Sequence, residues 1–130
     1  MPLLNFTVVR GRSPEELRRL LDSAHRAVVD AFDVPERDRY QIVDVRDADD
    51  VVALDTGLGF ERSDKLVIIQ VASRRRTEEM KQRFYELLAE NLHQDCGLDA
   101  TDLIVSITEN GDADWSFGAG RAQFLTGELS

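Results

Sequence analysis

Pro2 stands directly after the initiator methionine. A proline in that place is usually uncovered when methionine is removed, and the chain then begins with a secondary amine. An α-amino group titrates near ~7.7–8.0, so such an amine serves at neutral pH as acid, base or nucleophile. Leu3, Leu4, Phe6, Val8 and Val9 follow it in a strand pattern. A strand in a sheet holds the amine fixed, as catalysis requires.

The second chemical signal is cationic. Arg74, Arg75 and Arg76 form the densest positive run in an acidic chain, and Arg10 and Arg12 make a sparser pair. Both groups fall between a strand end and a helix start. Cations there are disfavoured by the helix dipole unless an anion joins them. Guanidinium forks beside helix amides suit a carboxylate or phosphate; solvated arginines in surface ion pairs are the alternative. Asp38 lies between Arg37 and Arg39, whose charges favour its ionised form; alone it reads as a loop carboxylate or a catalyst. His25 and His93 lie on separate expected helices without a second ligand at metal spacing, so no metal site is expected. Cys96 reads as a packing residue. Trp115, Phe117 and Phe124 read either as core or as a glycine-spaced tail that walls a pocket or wraps a neighbouring subunit.

The elements that must position these residues follow from pattern. Ser13, Pro14 and Glu16 form an N-cap, a first helical residue and a capping box. Leu17, Leu20, Leu21, Ala24, Val28 and Phe32 then mark one apolar helix face, ended by Val34-Pro35. Tyr40 to Val45 reads as a strand, and Val51 to Leu54 as a short one. The glycines of 56–60 match neither a dinucleotide fingerprint nor a P-loop and read as a turn. Leu66 to Val71 is a nearly continuous apolar run, the mark of a central strand covered on both faces. Thr77 caps a second helix to about Cys96, with Met80, Phe84, Leu87, Leu88 and Leu92 on one face and Gly97 as terminator. Leu103 to Thr108 is the last clear strand, and Asn110-Gly111 marks a tight turn.

The chain has 130 residues, 42% of them hydrophobic, which suits one domain over residues 1–130 with a true core. A formal charge of −9 opposes nucleic-acid binding. No apolar run reaches the roughly 18 residues of a membrane span, and no secretory signal is evident. A single cysteine suits a reducing cytoplasm.

A duplication runs through this order. Shifted by 64 positions, Ser13 falls on Thr77, Leu20 on Phe84, Ala24 on Leu88, Val28 on Leu92 and Asp38 on Asp102. Pro2 falls on Leu66, while Arg10 and Arg12 fall on Arg74 and Arg76. The internal repeats span about 2–45 and 66–109. Each reads strand–helix–strand, a right-handed crossover between parallel strands. The expected fold is α/β (α+β): a duplicated β-α-β unit with a four-stranded mixed sheet and two helices on one face. The other face needs cover, so a ring-like homo-oligomer is expected.

Together these residues resemble the tautomerase superfamily, and within it the malonate semialdehyde decarboxylases. The likeness rests on Pro2, the duplicated unit, Asp38 within residues 34–43, and Asp55-Thr56-Gly57-Leu58-Gly59-Phe60-Glu61-Arg62. It continues through Arg74 and Arg76 to Asp112-Ala113-Asp114-Trp115-Ser116-Phe117-Gly118. One departure is Arg75, where the better-known members carry proline. The resemblance implies cofactor-independent conversion of malonate semialdehyde to acetaldehyde and carbon dioxide, by a homotrimer acting on a small 3-oxo acid. It implies catalytic roles for Pro2, Asp38, Arg74 and Arg76, and an apolar wall of Trp115, Phe117, Phe124 and Leu129. Alternatives are a keto–enol tautomerase of 2-oxo acids such as phenylpyruvate, a hydratase of a 3-carbon unsaturated acid, and a non-enzymatic oligomer. Intact-mass measurement of the native protein is expected to show Met1 missing; a form that keeps it has an amide at Pro2 and is expected to be inactive.

Overall fold

The computed structural model describes residues 2–130. Strand β1 (Leu3–Val9) is followed by helix α1 (Pro14–Phe32) and strand β2 (Tyr40–Arg46). Strand β3 (Val67–Arg74), helix α2 (Glu78–Cys96) and strand β4 (Leu103–Asn110) repeat the unit. A short helix α3 (Gln123–Thr126) lies in the tail. The bounds of α2 are those of α1 moved by 64 residues, so the duplication is structural as well as sequential.

Local chemistry starts and stops both helices. Ser13 Oγ accepts from the Glu16 amide (3.1 Å), and Glu16 returns a carboxylate to the Ser13 amide (3.0 Å). Together these satisfy two amides that the first turn leaves free. Thr77 Oγ1 caps α2 through the Met80 amide (3.1 Å). Gly97 ends α2 at φ 68°, where it lets its N–H reach the His93 carbonyl.

The sheet order is β2-β1-β3-β4, with β1–β2 and β3–β4 parallel and the central β1–β3 pair antiparallel. Alternation sends Leu4, Phe6 and Val8 of β1 and Val67, Ile69 and Val71 of β3 to the helix side. There they pack on Leu20, Ala24, Val28 and Phe32 of α1 and Phe84, Leu88 and Leu92 of α2. The Phe32 and Phe84 rings lie 4.7 Å apart, centre to centre. Both long helices therefore cover one face.

The opposite face is open within the protomer. Tyr40, Ile42, Gln70, Ser106 and Thr108 are exposed there, while Leu3, Ile68 and Ala72 are half-buried. β3 is thus central but covered by its own chain on one side only. The short strand expected at Val51–Leu54 is absent. A 3₁₀ turn at Ala48–Asp50 precedes it, and Val52 and Leu54 are 86% and 79% exposed, so no neighbouring strand of this protomer takes their backbone groups.

Removing the Phe84 ring would open a cavity between the helices and β3. Phe84→Ala is expected to cost about 3–5 kcal/mol, read as a lower urea midpoint at unchanged slope.

Candidate active site

Sheet register sets the site. Leu3 lies opposite Ala72 across the antiparallel pair, so one step back along the chain brings Pro2 opposite Ser73, the neighbour of Arg74. Leu3 also lies opposite Tyr40, and the same step brings Pro2 beside Arg39, next to Asp38. Pro2 is fully buried. Met1, and with it the expected removal, lies outside the described residues.

Asp38, Arg74 and Arg76 meet at a cavity of about 380 Å³, also lined by Asp33, Val34, Pro35, Phe124, Leu129 and Ser130. Five of the eight residues singled out from sequence therefore share one wall. Pro2, Trp115 and Phe117 are not on it. Trp115 and Phe117 stand behind Phe124: its ring meets Phe117 edge-on at 5.6 Å, and Phe117 stacks on Trp115 (5.3 Å) and Tyr40 (5.4 Å). The aromatic tail folds back on its own protomer's β2.

Asp38 is buried, and neither carboxylate oxygen has a hydrogen-bond partner among the described residues. Burial raises its pKa, against the pull of the nearby positive charges of Arg76, His25 and Arg74. The loop that carries it is pinned twice. The Asp38 amide donates to the Pro35 carbonyl (3.0 Å), and His25 Nε2 lies 2.6 Å from the Glu36 carbonyl.

The two arginines are held differently. Arg74 Nη1 pairs with Asp112 (2.9 Å), Nη2 donates to the Ser130 carbonyl (3.2 Å), and the guanidinium carbon lies 3.6 Å from the Phe124 ring centre. Its Nε is buried without a partner among the described residues. Arg76 makes no ion pair among them: Nε donates to Ser73 Oγ at 3.3 Å, and the group sits over Phe32 at 5.1 Å. Burial and the charge of Arg74 lower its pKa, while Asp38 opposes them. The cavity thus offers an uncommitted guanidinium and a stacked guanidinium to a small anionic ligand, with the Asp38 carboxyl beside them.

The equivalent positions in the other half are spent on structure. Arg10 pairs with Asp47 at the surface (2.8 Å), and Arg12 donates to the Lys65 carbonyl (2.6 Å). Asp102, the counterpart of Asp38, accepts from the Ser63 amide (2.7 Å) and the Ser63 hydroxyl. Burial pushes the Cys96 thiol up, which disfavours the thiolate. No group of three or more His, Cys, Asp or Glu residues is placed to hold a metal ion, and no helix is long and apolar enough to cross a membrane, among the described residues.

Two family models match this chain, each described as tautomerase enzyme: one over residues 38–118, the other over residues 2–61. The probable tautomerase YrdN of Bacillus subtilis (strain 168) is 57% identical over 129 residues, spanning 99% of this chain and 100% of that one. The chain belongs to the tautomerase family. This tautomerase is also similar to a solved malonate semialdehyde decarboxylase studied for decarboxylase and hydratase activities. That match has TM-score 0.97 and 52% identity, over 98% of this chain and 99% of the other. A malonate semialdehyde decarboxylase inhibited by 3-bromopropiolate matches with TM-score 0.95 and 43% identity, over 98% of each chain.

Sequence reasoning gave no place at the site to several residues that shape this tautomerase's cavity: Asp33, Val34 and Pro35 on its wall, and Asp112 and Ser73 on the arginines. Asp112 had a signal. β3 and β4 run parallel and end with Arg74 opposite Asn110, so an acid just past Asn110 must lie near Arg74.

An acid with a raised folded pKa binds its proton more tightly when folded, so stability falls as pH rises through that interval. Asp38→Asn is therefore expected to raise the melting temperature at neutral pH, by roughly 3–5 °C for about 1 kcal/mol. The gain should vanish below the ordinary aspartate pKa of ~3.9. Thermal melts of both proteins across that range check the direction.

Proposed function

We propose that this tautomerase decarboxylates malonate semialdehyde to acetaldehyde and carbon dioxide, with Pro2 as its amino-terminal acid. The observation that carries the reading is the meeting of Arg74, Arg76 and Asp38 at one small cavity, one register step from Pro2. In this reading Arg74 and Arg76 hold the substrate carboxylate and turn its C–C bond out of the carbonyl plane. Protonated Pro2 polarises the aldehyde oxygen, or condenses with it to an iminium. The C–C bond to the carboxylate breaks, and its electron pair passes into the carbonyl. Carbon dioxide leaves, and a proton delivered to carbon completes acetaldehyde.

Asp38 orients the substrate or a water, and its charge favours the protonated amine. Phe124 and Leu129, with Trp115 and Phe117 stacked behind Phe124, form the apolar side, where a carboxylate that becomes neutral carbon dioxide loses little solvation. The proposed assembly is a homotrimer in the cytoplasm. The open sheet face and the exposed side chains of Val52, Leu54 and Leu58 support burial by further copies of the chain.

A second reading, keto–enol tautomerisation of a 2-oxo acid, is favoured by the curated relative, a probable tautomerase. The two differ in the proton on Pro2. Decarboxylation should fall as pH rises through the pKa of the amine, near ~7.7–8.0 for an ordinary α-amino group, whereas a base-catalysed tautomerisation should rise. Arg74→Ala is expected to lower kcat/KM for malonate semialdehyde roughly 100-fold, the loss of a strong charge-assisted contact. Pro2→Ala should abolish most acetaldehyde formation. Turnover of phenylpyruvate but not of malonate semialdehyde by the native protein would decide for the second reading.

A further inference from the structure

Arg74 and Arg76 stand between two cavities. Beyond the cavity described above lies a second, of about 430 Å³, lined by Arg74, Arg75, Arg76, Asn110, Gly111 and Asp112. Its charges do not balance. Asp112 is engaged with Arg74, and the Glu109 carboxylate is taken by the Arg76 amide (3.0 Å) and Lys81 (3.3 Å), with the charge of Arg75 close by but not in contact. Arg75 is exposed and makes neither an ion pair nor a hydrogen bond among the described residues.

Of the fourteen arginines, Arg10, Arg26, Arg39, Arg74 and Arg121 form ion pairs among the described residues; Arg75 differs from the other unpaired ones, Arg76 aside, in lining a cavity with Arg74 and Arg76. The position also disfavours a lone cation. Arg75 precedes the N-terminus of α2, where the helix dipole repels positive charge. Glu78 and Glu79 in the first turn offset this in part, without contacting it. Asn110 adds a neutral donor to the wall: its Oδ1 accepts from Trp115 Nε1 (2.7 Å), which leaves its amide N–H groups for a ligand.

We propose that the second cavity is an anion subsite continuous with the first, and that Arg75 is its specificity-determining residue. Beside malonate semialdehyde, the site then also takes a dicarboxylate, a 3-oxo acid with a further carboxylate. One carboxylate lies between Arg74 and Arg76, and the other reaches Arg75 and Asn110. This rests on the reading that Arg74 and Arg76 hold a substrate carboxylate. Chemistry at the first carboxylate is unchanged: its C–C bond breaks towards the carbonyl, carbon dioxide leaves, and the second carboxylate remains on the product.

Binding of non-reacting acids tests the subsite without any turnover. Propanoate, succinate and glutarate are titrated against the full native protein at low and high salt, and the quantity read is the ratio of diacid to monoacid affinity. The native protein should prefer one diacid by about fivefold at low salt, a preference that salt weakens. Arg75→Ala should bring the ratio to within about twofold, while Arg18→Ala, an exposed arginine of α1, should leave it unchanged. Equal affinity for monoacid and diacids in the native protein overturns the proposal. So does a preference that survives Arg75→Ala, or one that falls as much in Arg18→Ala, which marks general attraction and no site. A native protein that keeps the Arg75-dependent preference but does not turn over malonate semialdehyde sinks the proposed decarboxylation and leaves the subsite standing.

Discussion

The antiparallel pairing of β1 with β3 is the constraint on which the rest depends. Each repeat begins with a strand, and this pairing sets the start of one repeat's strand against the end of the other's. Pro2 therefore meets the Ser73–Arg74 end of β3, and Leu66 comes to the Val9–Arg10 end of β1. No residue of one repeat alone could bring an amine and the two arginines together. The hydrogen-bonded ladder, with Leu4, Phe6, Val67 and Ile69 buried beneath it, keeps that meeting rigid.

Duplication creates two such corners, and the side chains distinguish them. At one, Asp102 is held by Ser63, Arg12 gives one nitrogen to a backbone carbonyl while its buried Nη1 has no partner among the described residues, and Glu16 closes a capping box. At the other, the Asp38 carboxylate has no hydrogen-bond partner among the described residues, and Met80 stands where Glu16 would be. The free donors of the second corner, on Arg74 and Arg76, are what a small anion can satisfy. A buried carboxylate without a donor costs folding free energy, and that cost is concentrated where the chemistry is proposed.

Much of this was legible in the sequence. Periodicity and caps defined both long helices, and the 64-residue shift exposed the duplication, because each rests on local patterns that tertiary contacts reinforce. Val51–Leu54 was not legible. Its apolar residues look like a strand, but strand formation needs a neighbouring backbone, and this protomer provides none there. The tail was legible as aromatic but not in its placement. Phe124 reaches Arg74 across 50 positions of chain, a contact that no short-range spacing encodes. That Arg75 lacks an ion pair among the described residues was equally hidden, since a sequence shows a charge but not whether a partner lies beside it.

The stack of Phe124 against the Arg74 guanidinium separates two jobs within one chain. The duplicated unit supplies the arginine, but residues beyond β4 limit how its plane can turn. Drift in the last twenty residues can therefore retune which acids fit while the repeats stay untouched. A lineage of such proteins would be expected to diversify at its tail first, keeping one scaffold for several substrates.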